Sequence, residues 1–135
     1  MDPLRRCILC IDNDLDTCLM MQTFLGLHGF EVRTAVSLSE GLNEAKKGHF
    51  DLYLMDFEFS DGTGAELCQQ IRALHSAVPV IFCSGSAYPS QREQAMRAGA
   101  DAYLVKPLDF ECLLRTIAKS LNSASNRSLA KASSY

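Results

Sequence analysis

Four short apolar runs, each closing on a polar residue, constrain the fold of this chain more than any other feature. Cys7–Ile11 runs into Asp12 and Asn13, Leu52–Met55 into Asp56, residues 80–83 into Ser84, and Ala102–Val105 into Lys106. Runs of four or five apolar residues are the length of strands buried on both faces, and the stretches between them carry helical spacing. Strands alternating with helices imply right-handed crossovers and a parallel sheet sandwiched by helices, an α/β doubly wound fold. In open sheets of this kind, ligands bind in the crevice outside the carboxyl ends of the strands. The pattern therefore expects carboxylates, an amide, a hydroxyl and an ammonium on one rim.

The helices are marked at both ends. Ser37 with Glu40, Thr63 with Glu66 and Ser90 with Glu93 have capping-box spacing, in which hydroxyl and carboxylate satisfy orphan amides reciprocally. Asp14 and Asp109 are expected to cap the first and last helices. Cys18, Met21 and Leu25 recur at helical spacing, as do Leu38, Leu42 and Ala45, then Leu67, Cys68 and Ile71, then Phe110, Leu113, Leu114 and Ile117. Gly29, Gly48 and Gly99 stand where helices should stop. Glu31–Ala35 is a fifth and more polar strand, expected at a sheet edge.

Six cysteines raise the question of disulfides or zinc. Cys7 and Cys10 lie three apart on a predicted strand, so they point to opposite faces and cannot chelate one metal together. Cys18, Cys68, Cys83 and Cys112 fall on apolar faces, and all six are expected to be reduced thiols behaving as small hydrophobes. A net charge of −3 gives no whole-chain attraction to nucleic acid, so direct DNA binding is not expected. The apolar runs are too short to span a bilayer and the start lacks a signal-peptide core, so no membrane association and a cytoplasmic location are expected. Residues 1–121 are expected to form one domain. Residues 122–135 are rich in Ser, Asn and Ala with few anchors, and are expected to be a mobile tail.

Four segments together resemble a known family. They are residues 8–14 (Ile-Leu-Cys-Ile-Asp-Asn-Asp), residues 50–56 (Phe-Asp-Leu-Tyr-Leu-Met-Asp) with Gly62-Thr-Gly64, residues 78–85 (Val-Pro-Val-Ile-Phe-Cys-Ser-Gly), and residues 98–107 (Ala-Gly-Ala-Asp-Ala-Tyr-Leu-Val-Lys-Pro). In that order and spacing they resemble the receiver domain of two-component response regulators, of the single-domain, chemotaxis-regulator type. The resemblance implies a (βα)5 flavodoxin-like fold with a five-stranded parallel sheet of order 2-1-3-4-5; periodicity alone does not reach the strand order. It implies a signalling phosphoacceptor domain, not an enzyme in its own right. Asp56 would take a phosphoryl group from a sensor histidine kinase or histidine phosphotransfer protein. Asp12, Asn13, Asp56 and the backbone carbonyl of Glu58 would bind Mg²⁺, for which hard oxygen ligands are suited. Ser84 and Lys106 would contact the phosphoryl group, Ser84 and Tyr103 would switch, and the Lys106-Pro107 bond would be cis.

Three departures from the family pattern matter. Asn13 stands where a second acid is usual, which removes one negative charge from the metal site. Ser60 replaces a usual Pro and is expected to loosen the loop after Asp56. Glu58 puts a carboxylate near the phosphoryl entry route. A downstream protein is expected at the face of the fourth helix, fifth strand and fifth helix, where Arg92, Arg97, Glu111 and Arg115 are expected to be exposed. The alternative is a phosphorylation-independent receiver that acts only as a docking module. A flavodoxin-like or phosphatase-like enzyme fits worse, because Asp12-Asn13-Asp14 would repel a phosphate and no Cys-x5-Arg loop is present.

Overall fold

The computed structural model describes residues 5–133, with side chains as far as residue 126. The elements run β1 (Cys7–Ile11), α1 (Leu15–Leu27), β2 (Glu31–Ala35), α2 (Leu38–Lys47), β3 (Leu52–Met55), α3 (Gly64–Leu74), β4 (Val80–Ser84), α4 (Pro89–Arg97), β5 (Ala102–Val105) and α5 (Phe110–Ser133). All five strands are parallel, in the order β2-β1-β3-β4-β5. This is the fold class and order that the family resemblance implied. β2 pairs only with β1, as its more polar sequence led one to expect of an edge.

The strands divide their side chains between two layers by simple alternation. Ile8, Cys10, Leu52, Leu54, Ile81 and Cys83 face Met21 and Leu25 of α1 and Leu113 and Ile117 of α5. Leu9, Ile11, Tyr53, Met55, Val80 and Phe82 face α2, α3 and α4 through Leu38, Ala45, Leu67, Ile71 and Ala95. Each large aliphatic side chain buried in this way contributes about 1.5–3 kcal/mol relative to exposure. Cys7 and Cys10 pack into opposite layers, as alternation requires, and all six cysteines are free thiols. Burial pushes the Cys83 thiol up to about 12 and the Cys68 thiol up to about 11, so neither ionises at neutral pH.

Most caps follow their sequence signals. Asp14 accepts from the amide of Asp16, Ser37 from Glu40, Thr63 from Glu66, and Asp109 from Cys112. The Ser90 box does not form. Pro89 occupies the first turn of α4, so the helix begins two residues early with Tyr88 at its N-cap and no side-chain cap. A proline with its φ already helical is a stronger start than a serine one residue later. At the far end of α4, Arg72 of α3 donates to the carbonyls of Gly99 and Val78 and to Asp101, which also accepts from the Val80 amide.

Two further regions carry secondary structure that the sequence signals did not mark. The loop after Asp56 is a closed antiparallel hairpin, Glu58–Phe59 against Gly62–Thr63, with Ser60 exposed in its turn. Asp61 pins it by accepting from the amides of Leu38 and Ser39 at the start of α2. The last helix does not end at Leu121. It continues to Ser133, through most of the segment expected to be a tail, because that segment contains neither Gly nor Pro. Ala124 and Ser125 of this extension flank a cleft of about 770 Å³ at the N-terminal edge of the sheet, shared with Arg6, His49, Leu74 and His75. Ser134 and Tyr135, also assigned to the tail, lie outside the described residues.

Candidate functional site

The site residues meet because Asp12, Asp56 and Lys106 each follow the last paired residue of a strand, and Ser84 is the last paired residue of its own. Ile11 is registered with Met55, so Asp12 and Asp56 emerge side by side, and the ladder continues one step with the Asp56 amide donating to the Ile11 carbonyl at 3.0 Å. Ser84 is registered with Val105, and the Lys106 amide donates to the Ser84 carbonyl at 2.8 Å. Two neighbouring strand pairs thus deliver two carboxylates, a hydroxyl and an ammonium to one rim.

The Lys106 ammonium lies between the two acids. Its Nζ is 2.7 Å from Asp12 Oδ2 and 3.5 Å from Asp56 Oδ2. The second oxygen of each acid accepts from backbone: Asp12 Oδ1 from the Asp14 amide at 2.9 Å, and Asp56 Oδ1 from the Phe57 amide at 2.7 Å. Asp12 is only 3% exposed, so its charge depends on these partners. Burial raises the Asp56 carboxyl pKa above its ordinary value; Lys106 and the Phe57 amide pull it down, and Asp12 pushes it up. Burial alone would lower the Lys106 pKa, but its bond to Asp12 and its attraction to both acids leave it above its ordinary value. The pocket thus sets two carboxyl groups against one amine.

Ser84 is buried, and its Oγ accepts from the Ser86 amide at 3.2 Å. Ser86 also receives the Tyr103 hydroxyl, which donates to its carbonyl at 2.8 Å. The Tyr103 ring is buried and stacks on Phe82 with centroids 6.0 Å apart, so the tyrosine points inward. The Lys106-Pro107 peptide is cis, in agreement with expectation. Asn13, next to Asp12 in the chain, is exposed. Asp14 serves as the cap of α1, also receiving the Thr17 hydroxyl. The Glu58 carboxylate accepts from Gln91 of α4 at 2.8 Å, which ties the hairpin to that helix.

The donor set suits a small hard cation. Two adjacent carboxyl groups with spare lone pairs, followed in sequence by the amide of Asn13, are the hard oxygen donors that Mg²⁺ prefers. Among the described residues no cluster of three His, Cys, Asp or Glu is placed to hold a metal. Arg92, Arg97, Glu111 and Arg115 are all exposed, with Arg97 bonded to Glu93 and Arg115 3.9 Å from Glu111.

Sequence reasoning did not find four contributors: the Phe57 amide on Asp56, Ser86 between Ser84 and Tyr103, the Asp61 clamp, and the close fit of Gly64. A Cβ on Gly64 would stand 2.2 Å from the Asp56 carbonyl oxygen and 2.7 Å from Phe82. The Gly62-Thr-Gly64 motif was the one available signal, and it was visible only as part of the family pattern.

A family model for the response regulator receiver domain matches residues 8–118. Over 114 residues the chain is 33% identical to the transcriptional regulatory protein ZraR of Salmonella typhimurium, covering 84% of this chain and 26% of that protein. Over 100 residues it is 35% identical to the transcriptional regulatory protein PrrA of Mycobacterium tuberculosis, covering 74% and 43%. The chain thus spans less than half the length of these relatives. A CheY-like receiver domain protein from Methanospirillum hungatei superposes with a TM-score of 0.88 at 29% identity, covering 91% of this chain and 98% of that one. The chemotaxis protein CheY4 of Vibrio cholerae superposes at 0.81 with 27% identity, covering 86% and 98%. Among the described residues, no helix is long and apolar enough to cross a membrane.

Proposed function

The chain belongs to the response regulator receiver domain family, and on that footing we propose that it is a phosphorylation-controlled binding module with Asp56 as phosphoacceptor. The observation that carries this reading is the Lys106 ammonium lodged between Asp12 and Asp56 at the carboxyl end of the sheet. The donor would be a phosphohistidine on a kinase or a histidine phosphotransfer protein. An Asp56 carboxylate oxygen attacks phosphorus in line, the P–N bond breaks, and its electron pair leaves on the histidine nitrogen; an aspartyl phosphate remains. Lys106 balances charge on the phosphoryl oxygens, and the Ser84 hydroxyl donates to one of them. Asp12, Asn13, Asp56 and the Glu58 carbonyl would hold Mg²⁺, which when bound supplies positive charge against the charge of the transferring group.

Ser84 and Tyr103 share Ser86, so a hydroxyl drawn toward a phosphoryl group disturbs the residue that also receives the tyrosine. The output of that shift is the face of α4, β5 and α5, with Arg92, Arg97, Glu111 and Arg115 as contacts for a downstream protein.

The test is modification by acetyl phosphate with Mg²⁺, or occupancy by beryllofluoride, in wild type and Asp56→Asn. Intact mass should rise by one phosphoryl group in wild type alone. Identical behaviour of the two proteins would leave a phosphorylation-independent docking module. The same variant carries a stability signature. Burial raises the Asp56 pKa, so the carboxyl's contribution is present below its unfolded value near 3.8 and is lost as pH rises through the higher folded value. Asp56→Asn should therefore melt above wild type at neutral pH, with the difference shrinking as pH falls toward 4.

Asn13 gives a separate prediction for the metal. Two unit charges about 4 Å apart are worth about 4 kcal/mol at an effective dielectric of ~20. The exposed position of Asn13 offsets most of that, which leaves about 1–2 kcal/mol, or roughly tenfold in affinity. Asn13→Asp should thus tighten Mg²⁺ binding in an NMR titration and lower the melting temperature of the metal-free protein. Weaker Mg²⁺ binding by Asn13→Asp would remove the assignment.

A further inference from the structure

The hairpin that follows Asp56 is too small to hold itself in place. Glu58 pairs with Thr63 and Phe59 with Gly62, across a turn of Ser60 and Asp61. A lone two-stranded ribbon is marginal in water, so its position is set by what it docks against. At its base the Gly64 amide donates to the Phe57 carbonyl at 2.6 Å. At its tip Asp61 makes the tie: Oδ1 accepts from the Leu38 amide at 3.3 Å and Oδ2 from the Ser39 amide at 3.2 Å. A Cβ on Gly62 would stand 2.9 Å from Leu38 Cδ1, so the ribbon also lies close against the first side chain of α2.

Helix α2 cannot satisfy these two amides from within. The first turn of a helix leaves its N–H groups without intrahelical partners, and its positive dipole end favours a carboxylate. Ser37 takes the Glu40 amide on its hydroxyl and the Gly41 amide on its carbonyl. Glu40 turns back to accept from the Val36 amide. Asp61 therefore supplies, from 23 and 22 residues away, the acceptors that Leu38 and Ser39 lack. Both of its oxygens are engaged, which fixes the orientation of the turn as well as its position. The tie from the Glu58 side chain to Gln91 is a single exposed bond.

We propose that Asp61 is a positioning residue for the Mg²⁺ site: by docking the hairpin on the start of α2, it holds in place the Glu58 carbonyl that would serve as a ligand. The inference rests on the reading of Asp12, Asn13, Asp56 and the Glu58 carbonyl as the metal's ligands, and adds a residue outside that set. Mg²⁺ demands near-ideal octahedral geometry. A ligand on an unanchored ribbon has to be ordered at the moment of binding, and that cost appears as lost affinity.

Mg²⁺ titration of the whole chain by NMR tests it, with Asp61→Ala, Asp61→Asn and Ser37→Ala beside wild type. Asp61→Ala should raise the Kd about fivefold, the size expected when one short segment is ordered on binding. Asp61→Asn keeps one acceptor oxygen but loses the charge, so its Kd should fall between the two. Ser37→Ala strips a cap from the same helix and should leave the Kd unchanged. In the metal-free protein, hydrogen exchange at Leu38 and Ser39 should quicken in Asp61→Ala, while β1 and β3 keep their rates. Circular dichroism melts check that every variant is folded at the titration temperature. Wild type that binds no Mg²⁺ overturns the reading of the site, and this inference with it. Wild type that binds, with Asp61→Ala at the same Kd, overturns the inference alone. An equal loss in Asp61→Asn does so too, because the effect would then be one of charge, and an equal loss in Ser37→Ala because it would be one of helix stability.

Discussion

Gly64→Ala is expected to lose about 3 kcal/mol or more of stability, above most overpacking substitutions. The added methyl would sit 2.2 Å from the Asp56 carbonyl oxygen, and the Gly64 amide already donates to the Phe57 carbonyl at 2.6 Å. A side chain could swing away from such a contact. A carbonyl in the backbone that carries Asp56 cannot do so without dragging the end of β3 with it. Gly26→Ala provides the contrast, because a Cβ there meets nothing within 4 Å and lies in a helix, where alanine is favoured by up to about 1 kcal/mol. Urea midpoints of the two variants should therefore move in opposite directions. A Gly64→Ala midpoint close to wild type would show that the turn into α3 is free to shift, and the positioning of Asp56 would then not depend on it.

Lys106→Met is expected to cost about 2–3 kcal/mol at neutral pH. Removing one partner of a fully buried pair costs about 3–5 kcal/mol; the Lys106 side chain is 24% exposed, which lowers the figure. The cause is the buried Asp12 carboxylate, left beside Asp56 with only backbone amides to offset two like charges. Loss of the ammonium raises the Asp56 pKa further, so the penalty is present above the folded value and disappears as pH falls through it. The deficit in melting temperature should be largest at neutral pH and shrink as pH falls. Mg²⁺ should restore part of it, and by more than it stabilises wild type, because a cation would then enter a pocket of charge −2. A variant that melts like wild type at pH 7 would mean that solvent screens the two acids from each other.

Much of the chain's organisation was legible in its sequence because the signals are local. The apolar runs gave strand bounds that differ from the structure at only one end, where Ser84 proves to be part of β4. The caps at Asp14, Ser37, Thr63 and Asp109 act within four residues of the amides they satisfy, so spacing alone revealed them. The site residues were legible for a related reason: each is the first polar residue at the end of an apolar run, and a parallel sheet sends every strand end to one rim. The α4 start was misread because Pro89 and Ser90 offer competing local signals, and the fixed φ of proline prevailed.

What the sequence by itself determined is the set of elements, their alternation and the chemistry at the strand ends. Tertiary structure alone decided how that chemistry is coupled. Lys106 lies closer to Asp12 than to Asp56, across 94 residues of chain, and Asp61 clamps a helix 22 and 23 residues before it. Ser86 is shared between Ser84 and Tyr103, and the Asp56 carbonyl leaves no space for a Cβ at Gly64. Periodicity reports which face a residue occupies within its own element; distances between elements are set only when packing brings those faces together.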